Sequence, residues 1–582
     1  MTNTFRRVAV LGSGVMGSGI AAHLANAGIP CVMLDMVPPG GPSEDERKRG
    51  ITEQDKRFRN KFAAGGKEKA LKASPALFYT PADAPLVEVG NFDDDMHLLK
   101  DCDWIVEVVK EDLGVKRRLF EQVHKHASPT AIVSSNTSGL RIKDMMEPFP
   151  EEFRRRFLVT HFFNPVRYMN LLELIPGAST DRDVLARMVS FGRDVLGKGV
   201  VLGKDTPNFI GNRIGVYGIM ETLRVMMEDG YTVDEVDAVF GPPAGRPKSA
   251  VFRTADMVGL DTFIHVADNC YESLVDDERR DAFKVPDFLR EMVKRGWLGN
   301  KSGQGFYKKQ GGEILTLDVR TLEYGPKQKV RSESLGAVKD IEDVSERVRT
   351  LCYGEDRLAQ LAWKVTSRVL AYSARRVGEI ADDIVNIDRA MRWGYAWEQG
   401  PFETWDALGV GDAAARMERE GIELDGRVKD MLKGGRSRFY DMEGSRRTYF
   451  DFGRGTAMPV EEDQKTIRIS TLKAEKRVVK ENMGASIIDL GDGILNVEFH
   501  TKMNSLDADI VEMLNAAVDL AEKDFLGLVI TNDAPQFSVG ANLMLVFMEA
   551  QQGNWENLDR GVREFQNTNR RLRYARVPVV AA

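Results

Sequence analysis

The sequence predicts an α/β protein with a doubly wound parallel sheet in its first third, helices through its middle and a shorter α/β segment at its end. Three observations carry this. The apolar run Val8–Leu11 breaks at once into Gly12-Ser-Gly14-Val-Met-Gly17, a glycine-rich turn between a buried strand and a helix. The stretch from about 208 to 310 reads as largely helical, at Phe209 to Glu228, Val233 to Phe240 and Thr262 to Val275. Ile487 to Phe499 and Gly527 to Thr531 read as a hairpin and a buried strand.

The glycine turn has the full context of a dinucleotide fingerprint. The first glycine permits the tight turn, the second lets the backbone approach a pyrophosphate, and the third lets helix and strand pack closely. The helix N-terminus then receives the negative charge. A second apolar run, Cys31 to Leu34, ends in Asp35, 23 residues after Gly12. A carboxylate there suits a ribose 2′-hydroxyl and repels a 2′-phosphate, so NAD is favoured over NADP. The bland alternative is a glycine-rich turn in another doubly wound fold. Asp103 to Val109 and Ala131 to Asn136 read as later strands of the sheet. They end in Glu111 and in Asn136-Thr137-Ser138, at the edge that faces the ligand crevice in such sheets. Ser138 alone reads equally as a helix N-cap.

His161 and Glu173 lie on two further apolar runs, Phe157 to Phe163 and Met169 to Ile175, joined by Asn164-Pro165. An imidazole beside a carboxylate near the edge of an apolar sheet is what proton abstraction at neutral pH needs. The alternatives are a structural histidine and an ordinary strand carboxylate.

Composition sets the frame. The 582 residues suffice for three or four domains. The chain is 43% hydrophobic and 29% charged, with a formal net charge of -7. That balance argues against a general nucleic-acid or anionic-membrane binder. Four scattered cysteines form no CxxC pair and suit a reducing compartment, so a cytoplasmic location is expected. No run approaches the roughly 18 apolar residues of a membrane span. The first strand begins too early to leave room for a signal peptide, and the seven histidines suggest no metal cluster.

The motifs Gly12-Ser-Gly-Val-Met-Gly17, Ser135-Asn-Thr-Ser-Gly139, His161-Phe-Phe-Asn-Pro165, Asp205-Thr-Pro-Asn-Phe-Ile-Gly-Asn-Arg213 and Gly299-Asn-Lys-Ser-Gly-Gln-Gly-Phe-Tyr307 occur in this order. Together they resemble the L-3-hydroxyacyl-CoA dehydrogenase family of fatty-acid β-oxidation, over roughly residues 5 to 310. The resemblance implies a Rossmann-like NAD-binding domain followed by an all-α dehydrogenase C-terminal domain. It implies His161 as the base for the 3-hydroxyl proton and Glu173 as its partner. Ser138 and Asn212 match groups that hydrogen-bond the substrate oxygens, although Asn212 is also a candidate helix cap. Gly12, Gly14, Gly17, Asp35, Glu111, Lys116 and Asn136 match the cofactor side. Family members place a helical arm over the basic segment from Lys56 to Lys72, where Lys56, Lys61 and Lys67 would meet the CoA phosphates; a solvated helix face explains any single lysine as well.

Beyond 310 a faint echo occurs. Asp388 and Asp406 stand 18 apart, as Asp237 and Asp256 stand 19 apart, which reads as an internal duplication of the helical domain without its catalytic motifs. The second copy is expected to pack on the first and imitate within one chain the family's dimer, which leaves a monomer or a homodimer open. Residues 453–484 read as a linker. Residues 485–582 resemble the first part of the crotonase (enoyl-CoA hydratase) fold, with the backbone N–H of Ala541 matching half of an oxyanion hole. That family's acid/base glutamates come after the strand that ends the segment, so it reads as a partial crotonase-like domain, of a fragment or, as the less favoured alternative, vestigial, and no hydratase activity is expected. The expected domains are 1–206 (NAD-binding), 207–310 (helical), 311–365 (connecting), 366–452 (degenerate second helical copy), 453–484 and 485–582.

The expectation is thus an NAD-dependent 3-hydroxyacyl-CoA dehydrogenase, with an acyl-CoA thioester as substrate and a thiolase as a candidate partner. Two rivals stand beside it: a non-catalytic NAD(H)-binding sensor, and a dehydrogenase of a free hydroxy acid.

Overall fold

The computed structural model describes residues 5–444, 446–461, 465–534 and 536–582. The chain forms two compact units, Met1–Tyr440 with Phe450–Ala457, and Asp441–Tyr449 with Met458–Ala582. The first unit therefore contains the sheet and both helical stretches together.

Its sheet has eight strands: β1 (Val8–Leu11), β2 (Cys31–Asp35), β3 (Val87–Asn91), β4 (Trp104–Glu107), β5 (Ile132–Ser135), β6 (Phe157–Phe162), β7 (Leu171–Pro176) and β8 (Gly199–Leu202). The order is β3-β2-β1-β4-β5-β6-β7-β8. Neighbours run parallel except β6 and β7, an antiparallel pair whose register sets His161 opposite Glu173. The topology reverses between β1 and β4, which opens a crevice at the carboxyl ends of these strands. The central strands β1 and β4 are buried throughout. One face buries Phe5, Trp104 and Phe191, the other Phe120, Phe149 and Phe157.

The sequence did not announce β3 and β8. Both are edge strands: β3 carries exposed Glu88 and a glycine, and β8 holds only one fully buried residue. β3 lacks the apolar run of a strand covered on both faces; β8 has only the short run Val200, Val201 and Leu202 between glycines.

The helix Gly211–Asp229 is the spine of the first helical stretch. Arg357–Arg376 lies against it, with the Tyr217 and Tyr372 rings stacked at 3.8 Å between centroids. The buried Arg213 guanidinium donates to Tyr372 Oη (2.6 Å), Asp277 Oδ2 (2.5 Å) and Glu379 Oε1 (2.9 Å). A lone cation there would be costly; two carboxylates make the burial tolerable.

The four aspartates of the sequence echo make matching bonds. Asp237 accepts the N–H of Val251 and Phe252 and the hydroxyl of Tyr307. Asp388 accepts the N–H of Phe402 and Glu403 and the hydroxyl of Tyr440. Asp256 accepts the N–H of Phe306 and Tyr307, and Asp406 those of Phe439 and Tyr440. In each set one aspartate holds a helix start and the other holds the strand that carries the tyrosine. The second set opens with the helix Arg357–Arg376, which begins before residue 366. Residues 311–365 are also more ordered than a connector, with the antiparallel strands Glu313–Asp318 and Glu323–Pro326 and the helix Val344–Cys352.

In the second unit, Val478–Glu481, Ala485–Gly491, Ile494–Phe499, Gly527–Ile530 and Val579–Ala581 form one sheet in that order. The helix Ala508–Asp524 covers it through Ile510, Met513, Leu514 and Ala517. The stretch read as a linker carries the short helix Ile469–Ala474 among its described residues, and Ile469 and Leu472 pack on Ile488. Two apolar residues three apart in a charged run were too weak a signal to predict it. Residues 462–464 lie outside the described residues. No helix among the described residues is long and apolar enough to cross a membrane.

Candidate active site

The glycine turn is built as its spacing requires. Gly12 adopts φ +113°, and a Cβ there would lie 2.6 Å from the carbonyl oxygen of Val108. A Cβ on Gly17 would lie 1.9 Å from the carbonyl oxygen of Gly12. By contrast a Cβ on Gly14 would meet nothing within 4 Å, so the space over the second glycine is open. The helix Val15–Asn26 starts there without a side-chain cap, and its first N–H groups are left to an external acceptor. Asp35, at the end of β2, accepts Ser13 N–H (2.7 Å) and Ser13 Oγ (2.5 Å) through Oδ2. An open cradle, uncapped N–H donors and a carboxylate beside them fit a dinucleotide with a free 2′-hydroxyl.

Across the crevice, Lys116 and Glu111 meet a third charge that sequence reasoning missed. Glu107 ends β4 fully buried. It accepts Lys116 Nζ at 2.8 and 2.9 Å, Ser135 Oγ at 2.5 Å and the N–H of Val109 at 2.7 Å. Lys116 also lies 3.3 Å from Glu111. Glu111 accepts Thr137 Oγ1 and the N–H of Ser138 and Gly139. Burial opposes its charge, yet Lys116 and these donors hold its carboxyl below the usual value. The signal for Glu107 was an acid inside an otherwise apolar strand. Asn136 connects this edge to the next: its Oδ1 accepts the N–H of Phe162, adjacent to His161.

His161 and Glu173 face each other across the β6–β7 hairpin. His161 Nδ1 stands 2.6 Å from Glu173 Oε2, and the two residues are 6% and 0% exposed. The other carboxylate oxygen, Oε1, accepts the N–H of Ile210 (3.1 Å) and Gly211 (2.8 Å). These are the opening groups of the helix Gly211–Asp229, so the helix dipole adds to the stabilisation of the anion. Two left-handed residues aim them: Asn208 at φ +64° and Phe209 at φ +46°. Asparagine tolerates that conformation; for phenylalanine it costs on the order of 1–3 kcal/mol. The rings of Phe209 and Phe163 pack near His161, at 5.7 and 4.6 Å between centroids. With Nδ1 committed to the carboxylate, Nε2 is the atom left to exchange a proton.

Ser138 is half-buried in the turn after β5. Its neighbour Gly139 faces Asn208 and Asn269, whose side chains bond each other at 2.9 Å. Asn212, half-buried on the first turn of the helix, stands 3.5 Å from the hydroxyl of Tyr395. The basic arm forms the helices Lys56–Arg59 and Lys61–Leu71. Gly66 of the arm lies close over Ser13, which brings the arm to the rim of the glycine turn. Lys56 is exposed, Lys61 pairs with Glu46 at 2.7 Å, and Lys67 donates to the carbonyl of Val87 at 2.7 Å. In the second unit, the bridge between Leu506 and Ala541 uses the carbonyl of Gly540 and the N–H of Asn542. The N–H of Ala541 takes no part in it. No cluster of metal-ligating side chains occurs among the described residues.

Comparison with known proteins identifies the family of the first half of the chain. Residues 7–206 match the family model "3-hydroxyacyl-CoA dehydrogenase, NAD binding domain", and residues 209–309 match "3-hydroxyacyl-CoA dehydrogenase, C-terminal domain". A Bacillus subtilis protein named "Probable 3-hydroxyacyl-CoA dehydrogenase" is 47% identical over 582 residues, covering 100% of this chain and 73% of its own length. The human mitochondrial hydroxyacyl-coenzyme A dehydrogenase is 32% identical over 307 residues, 52% of this chain and 91% of that protein. The crystal structure of 3-hydroxybutyryl-CoA dehydrogenase from Escherichia coli K12 has the same fold over 74% of this chain and 99% of that one, with a TM-score of 0.53 at 20% identity.

Proposed function

The chain belongs to the 3-hydroxyacyl-CoA dehydrogenase family, and on that premise we propose that it oxidises (S)-3-hydroxyacyl-CoA to 3-oxoacyl-CoA with NAD in fatty-acid β-oxidation. The observation that carries the reading is the buried Glu173–His161 pair, with one carboxylate oxygen on the imidazole and the other on two backbone N–H groups.

Bound in the glycine cradle, NAD supplies the hydride acceptor. The protein's share is the proton. Neutral His161 carries its hydrogen on Nδ1, toward Glu173, and takes the 3-hydroxyl proton on Nε2. Glu173 stabilises the imidazolium that results, and His161 later yields the proton to solvent. The Ser138 hydroxyl and the Asn212 carboxamide hold the substrate oxygens so that the hydroxyl meets Nε2. Because Glu173 is already held by His161 and by the N–H groups of Ile210 and Gly211, little reorganisation accompanies the charge change.

Lys56 and Lys61, on an arm that reaches the cofactor rim, suit the phosphates of a CoA thioester. The segment 485–582 is carried in this reading as a crotonase-like domain with Ala541 as an oxyanion donor. Four buried free cysteines support a reducing, cytoplasmic setting. The product, a 3-oxoacyl-CoA, is the substrate of thiolytic cleavage, which makes a thiolase the fitting partner.

The test compares NAD reduction with (S)-3-hydroxybutyryl-CoA and with free (S)-3-hydroxybutyrate. Turnover confined to the thioester is expected. Faster turnover of the free acid would transfer the activity to a hydroxy-acid dehydrogenase, and NAD binding without turnover of either would leave a sensor.

A further inference from the structure

The second helical stretch reaches the catalytic wall. At the end of the helix Ile384–Gly394, three successive residues dock it there. Trp393 fills the space at Gly199, where a Cβ would lie 2.4 Å from its ring. Gly394 lets the backbone approach Leu171 and Phe163. Tyr395 fills the space at Gly215, where a Cβ would lie 2.0 Å from its Cζ. The next residue, Ala396, is left-handed at φ +53°, and the N–H of Glu398 then bonds the carbonyl of Gly245 at 2.8 Å. The Tyr395 ring is thus seated over Gly215, and it meets Phe163 edge-on at 6.4 Å. Phe163 in turn packs on His161.

The Tyr395 hydroxyl points at the Asn212 carboxamide, 3.5 Å from Oδ1. Burial and the nearby Glu173 charge keep the phenol protonated, so it is a donor and Oδ1 is its acceptor. A carboxamide has one acceptor end and one donor end, and its two flips differ only in the partners they meet. With Oδ1 engaged by Tyr395, the N–H₂ group is the end left for the substrate. An oxygen at C3 gains carbonyl character as it is oxidised, and it needs a donor rather than a second acceptor.

We propose that Tyr395 is a positioning residue of the dehydrogenase site, supplied by the second helical stretch, and that it fixes the flip of Asn212 so that its N–H₂ faces the substrate oxygen. This rests on the dehydrogenase reading above. The role beyond packing belongs to the hydroxyl, which meets Asn212 Oδ1 where a phenylalanine ring would offer no donor.

The test is the full chain with Tyr395→Phe, assayed for NADH oxidation with acetoacetyl-CoA, alone and in an Asn212→Ala background. Loss of one neutral hydrogen bond predicts a fall in kcat/KM of roughly threefold to tenfold. The KM for NADH and the melting temperature should stay at the wild-type values. In the Asn212→Ala background the tyrosine substitution should cost nothing more, since the group it orients is gone. Unchanged kcat/KM in Tyr395→Phe overturns the proposal, even where the variant melts lower, and so does an equal loss in both backgrounds. A wild type inert toward acyl-CoA overturns the dehydrogenase reading itself, and this inference with it.

Discussion

Glu173→Gln is the sharpest perturbation the site allows. The replacement keeps the shape, and its carbonyl oxygen can still accept from Ile210 and Gly211. Its amide then faces His161 Nδ1, now 2.6 Å from a carboxylate oxygen. Two N–H groups cannot meet, so the imidazole must turn its unprotonated Nδ1 to the amide and carry its hydrogen on Nε2. That is the wrong tautomer for accepting the hydroxyl proton. The variant also loses a charge-assisted bond to the imidazolium, about 1.5–3 kcal/mol. Tautomer and charge together predict a fall in kcat of about a hundredfold to ten-thousandfold. Folding stability should change by only about 1 kcal/mol, because both backbone N–H groups keep an acceptor. The assay is steady-state NADH oxidation with acetoacetyl-CoA, with the KM for NADH as an internal control. A kcat within about threefold of wild type, less than 1 kcal/mol at the barrier, would refute the assignment of Glu173 as the partner that sets the tautomer.

Three further outcomes follow from the same geometry. Asp35→Ser should raise the KM for NAD by roughly tenfold or more and admit NADP; unchanged discrimination between the two cofactors would count against the ribose assignment. Gly215→Ala forces a Cβ against Tyr395 and should destabilise the fold by about 1–3 kcal/mol, read as a lower midpoint in chemical denaturation; a wild-type midpoint would show that Tyr395 does not occupy that space. Burial pushes the Asp256 carboxyl up to about 6, so the folded state binds more protons than the unfolded one between about pH 4 and 6. The stability this group contributes is present below about pH 4 and is lost as pH rises through 6, by about 3 kcal/mol in all. Asp256→Asn should remove that slope from the pH profile of unfolding free energy, and an identical slope in the variant would refute the attribution.

Much of the site was legible because its chemistry uses unusual residues in fixed contexts. The glycines at 12, 14 and 17 stand between a buried strand and a helix, and no other residue type could occupy the first and third. His161 and Glu173 were visible as charges inside apolar runs, and the hairpin between them explains their spacing of 12 residues. Glu107 carried the same signal and was passed over, because its partners Lys116 and Ser135 come from two other elements. The left-handed turn at Asn208-Phe209 was not legible: nothing in the identity of a phenylalanine suggests φ +46°, which the surrounding packing imposes. Tyr395 was invisible for another reason. It is an ordinary aromatic in a stretch without motifs, and only the glycine at 215, some 180 residues away, marks where it docks. The edge strand β3 and the helix Ile469–Ala474 escaped because partly exposed elements need few apolar residues, and β8 because its apolar run is only three residues long between two glycines.

The central claim is that His161 takes the proton as the hydride leaves a 3-hydroxyacyl thioester. It is tested most directly by NADH oxidation with acetoacetyl-CoA, measured side by side for the wild type and for His161→Gln. Glutamine preserves a hydrogen-bonding side chain at the same place and cannot exchange a proton at neutral pH. The account predicts a turning-over wild type and a variant slower by about a hundredfold to ten-thousandfold, with NADH binding intact in both. Equal rates in the two proteins would contradict it.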